Sequence, residues 1–415
     1  MNFLKVGLTF AVSTGTKLVA GLFIVKVIAL YVGAEGLGQL GQFMSVMNMV
    51  TTLAGGGIVT GLIKYVAEHA ENKEELSRYL SSGSFITLMA SGLIALILIA
   101  GATPVSNLLL GTPRYVVVFY VLALVQFIIG ANNYATSVIN GHRDAKGFAI
   151  VSASGTLVGA VIMFSATRWG GLTGSMYGLM LMPAAMAFFS IPYIFYRGLI
   201  SATVLAPRRH SEATNNLLHY SGMLCVTVST LPVAQIVVRN LIEKQAGWGA
   251  VGYWQGVSRI SDVYLQFITV VLSNYYLPQL SAISDKDELR SHVYNALKIA
   301  VPATVLMALT VFLLRDLIIP LLFSKSFLPM RDLFLFQLIG DCFKVSAYTI
   351  GYVCVAKAMT RLYIFAEIYQ SVMFIVLANV FLNSAGPVGV TYAYALNYAL
   401  YFVIALVAFR RYVSR

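Results

Sequence analysis

A chain of 415 residues that is 59% hydrophobic and only 11% charged, with a mean hydropathy of +0.80, is not a soluble globular protein. Its net charge of +12 is not gathered into a basic run interleaved with aromatics, which excludes nucleic acid as the partner. Cys225, Cys342 and Cys354 all fall in apolar stretches, and neither the cysteines nor the histidines have ligand spacing, which excludes a disulfide framework, a zinc site and any evident cofactor.

Taken in order, the chain predicts an all-α polytopic membrane protein. A membrane-spanning helix needs about 20 apolar residues. Twelve such segments follow one another, at 4–32, 37–66, 79–101, 114–139, 147–168, 172–196, 217–240, 251–280, 293–314, 331–355, 361–382 and 387–409. The first is too long for a cleavable signal and carries Lys17 and Lys26, so it reads as a span. Gly55, Gly56 and Gly57 interrupt the second, and Pro183, Pro192, Pro232 and Pro302 punctuate later ones. The loops alternate in charge. With the N-terminus in the cytoplasm, fourteen Lys and Arg fall in inner loops and the C-terminal tail, against six outside. That asymmetry predicts both termini in the cytoplasm.

The longest polar connection, Arg197–Asn216, falls after the sixth span. It divides the chain into a six-helix lobe at 1–196, a cytoplasmic linker at 197–216 and a second six-helix lobe at 217–415. Six is even, so two such halves would be parallel repeats. Count and linker carry this reading, because no residue-level similarity between the halves stands out.

Three spans carry polar stripes. In the eighth, Gln255, Arg259, Asp262, Gln266, Thr269 and Ser273 recur every three or four residues and share one helix face. The tenth repeats the pattern with Gln337, Asp341, Lys344 and Tyr348. The fourth does so without charge, through Gln126, Gly130, Asn133, Ser137 and Asn140. Three stripes predict a shared central aqueous cavity, with interhelical hydrogen bonding as the alternative. A charge at mid-bilayer costs at least ~2.5–3.5 kcal/mol, so intramembrane charges mark function. The cations are Lys17, Lys26, Arg239, Arg259 and Lys344, with Lys64 near a helix end; the acids are Asp262, Asp341 and Glu367. Lys17 is near mid-helix and is expected to face the cavity, whereas Lys26 is placed to snorkel. Arg259–Asp262 and Asp341–Lys344 are each three residues apart. Each pair either neutralises itself or exchanges partners with a charged substrate, and the spacing leaves both open. Glu367 has no opposite charge within one turn and is a candidate proton or cation site. No phosphate-binding G-x-x-x-x-G-K-[ST] is present, so energy for transport would come from an ion gradient, the substrate's own gradient or a partner.

WQGVSRISDVYLQFIT (Trp254–Thr269) and MRDLFLFQLIGDCFKVSAYTIGYVCVAKA (Met330–Ala358) resemble the polysaccharide flippases of the multidrug/oligosaccharidyl-lipid/polysaccharide exporter superfamily. GLIKYVAEH (Gly61–His69) and NGHRDAKG (Asn140–Gly147) add to the likeness, which spans the chain and is strongest to the branch of O-antigen translocases and lipid III flippases. The resemblance implies a V of two six-helix lobes around a polar cationic cavity, working by alternating access. It implies no enzymatic reaction. The substrate would be an oligosaccharide on undecaprenyl diphosphate, either lipid III or an O-antigen unit, moved from the cytoplasmic to the periplasmic leaflet of the bacterial inner membrane. Lys17, Arg259, Lys344, Gln255, Gln266 and Asn133 would then bind diphosphate or sugar, with Asp262, Asp341 and Glu367 as charge partners or ion-coupling groups. Besides the lipid bilayer, the expected partners are a polymerase and a chain-length regulator of the same pathway. The competing readings are a drug or organic-cation antiporter on the same fold, which would favour an acidic aromatic cavity, a polymerase or ligase, which would need a large outer loop, and a membrane scaffold without transport.

Overall fold

The structure is a computed structural model and describes residues 15, 19–201 and 205–414. Among these, every regular element is helical. Helices are the expected solution in a bilayer, where each backbone N–H and C=O must be satisfied within its own segment. In the first half these are α1 (Val19–Tyr31), α2 (Gly33–Leu53), α3 (Val59–Glu68), α4 (Lys73–Ala100), α5 (Ala102–Leu110), α6 (Val116–Gly141), α7 (Ala145–Ala185) and α8 (Ala187–Tyr196). The second half holds α9 (Ser211–Val271), α10 (Leu277–Ala282), α11 (Lys286–Leu322), α12 (Phe334–Ala356), α13 (Thr360–Ala385) and α14 (Gly389–Ser414).

From residue 19 onward the predicted spans map onto these elements once the backbone breaks are marked, and the start of the first span lies outside the described residues. Gly171 (φ 54°) divides α7, and Gly247 (φ 77°) divides α9, so each of these continuous helical stretches holds parts of two spans. The second span is α2 plus α3, separated by the triple glycine, whose φ values are +97°, +77° and +66°. Only glycine takes that run without steric cost. The break frees backbone carbonyls, and side chains collect them. Asn133 on α6 donates its amide to Thr51 O (2.8 Å) and Ala54 O (2.9 Å), and the Ser221 hydroxyl donates to Gly56 O (2.5 Å).

Two compact units emerge. One comprises the described residues up to Val32 together with Gln42–Pro232; the other comprises Gly33–Gly41 and Val233–Arg415. The contact boundary therefore lies inside α9, beyond the polar connection at 197–216. The reason is apolar: Ala213 and Leu217 on the first turns of α9 join a buried core with Leu62 and Val66 of α3, Tyr79 and Leu80 of α4, and Val138 of α6. In the first unit α6 is the central helix, with 56% of its spanning window buried against 28% for α4. In the second, the span holding α12 is 61% buried, whereas α11 at 11% is an outer helix.

Two turns with matching backbone recur in the chain. After α6 the chain turns through Arg143 (φ 57°), with Arg143 N donating to Asn140 O (2.9 Å) and Asp144 N to Ile139 O (3.2 Å). After α12 it turns through Ala358 (φ 52°), with Ala358 N donating to Val355 O (3.1 Å) and Met359 N to Cys354 O (2.8 Å). The same offset in numbering carries Gly171 (φ 54°, ψ −131°) onto Gly386 (φ 63°, ψ −152°). Within the second unit, the start of α2 crosses α9 in a reciprocal contact. A Cβ at Gly38 would stand 2.6 Å from Trp248 O, and one at Gly252 would stand 1.8 Å from Ala34 O. Only hydrogen fits at either position.

Candidate substrate site

The polar groups of the second unit converge on α12. Asp341 is fully buried, and both of its oxygens are taken by phenols. Tyr394 on α14 donates to Oδ1 at 2.8 Å, and Tyr264 on α9 donates to Oδ2. Gly340 makes the approach possible, since a Cβ there would lie 2.3 Å from Tyr394 Cδ1. Lys344, one turn along α12, is half-buried. Its ammonium lies 5.6 Å from the ring centroid of Tyr398, 5.9 Å from Tyr348 and 6.0 Å from Tyr394. These are cation–π distances. Asp341 and Lys344 lie in each other's electrostatic field without closing to salt-bridge distance, although their spacing allows it. Glu367 on α13 is half-buried beside Tyr363, in the electrostatic neighbourhood of Lys344.

On α9 the predicted stripe is divided. Its first member, Gln255, is buried, and its Oε1 accepts from Arg239 Nε (3.2 Å) and Nη2 (2.8 Å). Arg239 is itself buried, reaches Gln235 at 3.4 Å and lies over the Trp254 ring at 5.6 Å. Further along, Arg259 and Asp262 approach to 3.9 Å on an open face, with side chains 31% and 57% exposed, and Gln266 is exposed. The opposite face of the same helix, through Val257, Ile260, Tyr264, Leu265 and Ile268, is buried. Asp262 and Gln266 are thus on the exposed side of the helix, together with Phe267 and Val271.

The fourth-span stripe is engaged in packing. Gln126 on α6 is buried and donates to Ser91 O on α4 (2.6 Å), and Asn133 holds the broken second span. The interhelical alternative describes these two residues, so the amide nitrogen of Asn133 is unavailable to a ligand. Lys17 lies outside the described residues. Lys26 is half-buried on α1.

Sequence reasoning missed the tyrosines. Tyr394, Tyr398 and Tyr401 recur at four and three residues along α14 and pack with Tyr348, and Tyr264 sits on the buried side of α9. The signal was that spacing on the last span, which an analysis of charge alone passes over. Outside the spans, NGHRDAKG has a structural basis. Asp144 caps α7 by accepting from Gly147 N (2.9 Å), accepts from the Tyr193 hydroxyl of α8 (2.6 Å) and lies 3.9 Å from Arg197. Burial by itself would push the Asp144 carboxyl up. The phenol, the amide and the nearby guanidinium outweigh it and hold the group below its ordinary value.

Comparison with known proteins follows the same lines. The sequence profile of the family described as "Polysaccharide biosynthesis protein" matches residues 4–284. The chain is 39% identical over 402 residues to the Lipid III flippase of Escherichia coli (strain K12), covering 97% of both chains, and equally so to that of Shigella flexneri. In fold it is similar to an inward-facing multidrug resistance MATE family transporter of the MOP superfamily, with a TM-score of 0.82 at 16% identity over 97% of this chain and 94% of that one. A MOP superfamily transporter from Pyrococcus furiosus, described as having a binding pocket of reversed polarity, aligns with a TM-score of 0.69 at 14% identity over 97% and 95%. The low identity of these structures speaks to architecture alone: an all-α, multi-pass membrane transporter fold. By profile and by full-length identity, the chain belongs to the polysaccharide biosynthesis protein family.

Proposed function

We propose that this protein is a flippase for an undecaprenyl-diphosphate-linked oligosaccharide, of the lipid III or O-antigen type, which it carries from the cytoplasmic to the periplasmic leaflet of the bacterial inner membrane by alternating access. The observation that carries the reading is full-length identity of 39% to proteins named Lipid III flippase. The chemistry of the second unit supports it. A diphosphate ester is a compact anion with a bulky polar head. It calls for cations that are held in place without being neutralised, next to groups that hydrogen-bond sugar hydroxyls. Lys344 above its tyrosine rings has those properties, and Arg259, paired with Asp262 at 3.9 Å on the open face of α9, offers a second cation.

On this reading Arg259, Lys344 and Lys17 take the diphosphate, Gln266 and Gln255 meet polar head-group atoms, and Asp262, Asp341 and Glu367 balance charge when the site is empty. The two six-helix lobes, joined by the polar connection at 197–216, exchange access, with both termini and that connection in the cytoplasm. A polymerase and a chain-length regulator would receive the product. The drug-antiporter reading draws on fold alone, since the multidrug transporters match at about one residue in six.

Deletion of the gene, followed by mass spectrometry of lipid extracts, tests the proposal. Undecaprenyl-diphosphate oligosaccharide should accumulate on the cytoplasmic side and clear on complementation. An unchanged lipid profile combined with sensitivity to organic cations would favour the antiporter.

A further inference from the structure

An ammonium three residues from a carboxylate on one helix ordinarily closes onto it. Lys344 has not done so, and the reason lies in what surrounds each acid in its neighbourhood. Asp341, on the same helix, has its two oxygens filled by the hydroxyls of Tyr264 and Tyr394. Asp262, on α9, is committed to Arg259 at 3.9 Å. Glu367, on α13, lies against the Tyr363 hydroxyl. What Lys344 meets instead is a set of ring faces, Tyr348, Tyr394 and Tyr398, at 5.6–6.0 Å. A ring face stabilises a cation through its quadrupole and leaves the N–H donors unspent.

We infer that Tyr264 and Tyr394 are positioning residues that occupy Asp341 so that it does not capture Lys344, which keeps the ammonium ready for a phosphate oxygen. Tyr394 has a double part: its hydroxyl is on the acid and its ring is under the cation. The inference rests on the flippase reading for the identity of the anion as a diphosphate. It goes beyond that reading by assigning a role to two residues that touch no substrate. It also explains why α12 can carry an acid one turn from a phosphate-binding lysine.

Binding of inorganic pyrophosphate to the purified full-length protein in detergent, read as a ligand-induced shift in thermal midpoint, provides the test without any transport step. Wild type should be stabilised and Lys344→Ala should not. Tyr264→Phe/Tyr394→Phe keeps both rings but removes both phenolic donors from Asp341, and its pyrophosphate affinity should fall by roughly tenfold, the scale of one charge-assisted contact. Adding Asp341→Asn removes the competing charge and should restore binding. Each variant's midpoint without pyrophosphate reports its folding. Wild-type affinity in the double Phe variant would overturn the inference, as would a triple variant that folds yet stays as weak as the double. If wild type shows no Lys344-dependent shift, the diphosphate contact falls and the positioning role falls with it. In that case the accumulation experiment above still judges the flippase reading by itself.

Discussion

Arg143 and Ala358 adopt the same left-handed backbone conformation at the same place in the two halves of the chain, each two residues past a central helix and two before the next. The pairing is one of turn geometry, with different side chains at the two positions. It also locates strain, because an L residue in this region costs roughly 1–2 kcal/mol, whereas glycine enters it freely. Ala358 has no side chain beyond Cβ to lose. Ala358→Gly should therefore stabilise the protein by up to about 1 kcal/mol after glycine's entropy in the unfolded chain is subtracted. The thermal midpoint in detergent should rise by one or two degrees, to order of magnitude. A fall would mean that Ala358 is held by contacts that outweigh its backbone strain.

Asp144 gives a pH-dependent counterpart. Its carboxyl is held below its ordinary value, so it contributes stability above its unfolded pKa of about 4 and loses that contribution as the pH falls through the lower folded value. Asp144→Ala should cost about 1 kcal/mol at pH 7, the usual worth of an N-cap. The wild-type and variant midpoints should converge below about pH 4. Parallel curves down to pH 3 would mean that the cap works without its charge.

What could be read from the sequence was set by periodicity. Hydropathy located the spans because the bilayer demands apolar length, and the triple glycine announced a break because no other residue tolerates three positive φ values in a row. The stripe on α9 was legible as a face, since spacing fixes which side chains are neighbours on a helix. Spacing does not say what lies opposite. Gln126 and Asn133 present the same pattern as Gln266, yet two of them meet backbone from another helix and one is exposed. In the same way, Asp341 and Lys344 had the spacing of an ion pair, and only tertiary structure could bring Tyr264 and Tyr394 onto Asp341.

Asn133 separates packing from binding. Asn133→Leu removes the donor to Thr51 O and Ala54 O and should cost about 1–3 kcal/mol through carbonyls left unsatisfied at the break. Export should fall only as far as the amount of folded protein falls. A variant with an unchanged thermal midpoint and lost export would assign the remaining amide oxygen of Asn133 to the substrate.

The proposed topology is checked at Ser211, where α9 begins. With Cys225, Cys342 and Cys354 replaced, a cysteine at this position should react with a membrane-impermeant maleimide only after the inner membrane is opened. Labelling of intact spheroplasts from the periplasmic side would invert the orientation.

Arg259 and Asp262 make the sharpest distinction between a salt bridge and a binding site. Their approach of 3.9 Å on an open face, with Asp262 57% exposed, is the geometry of a weak pair, and exposed pairs contribute about 0.2–1 kcal/mol. Removing either partner should therefore leave folding nearly intact, and any loss of export must come from what the groups do for the substrate. If the pair served only to neutralise itself, deleting both charges would be tolerated better than deleting one, because a lone charge in a membrane-embedded site carries most of the penalty. If Arg259 grips phosphate oxygens, the double variant lacks one of the cations that the diphosphate needs and stays inactive although it folds and inserts. We expect the second outcome: Arg259→Ala and the Arg259→Ala/Asp262→Ala double variant should both lose export at matched membrane abundance. Asp262→Ala alone should retain part of it, because Arg259 keeps its charge. On this account the carboxylate holds Arg259 while the site is empty and yields it as the diphosphate enters. Each substrate bound then exchanges one partner of Arg259 for another, and that exchange gives binding a differential contact through which it can shift the conformational equilibrium. Full recovery of export in the double variant would reduce the pair to a structural contact and move the diphosphate elsewhere.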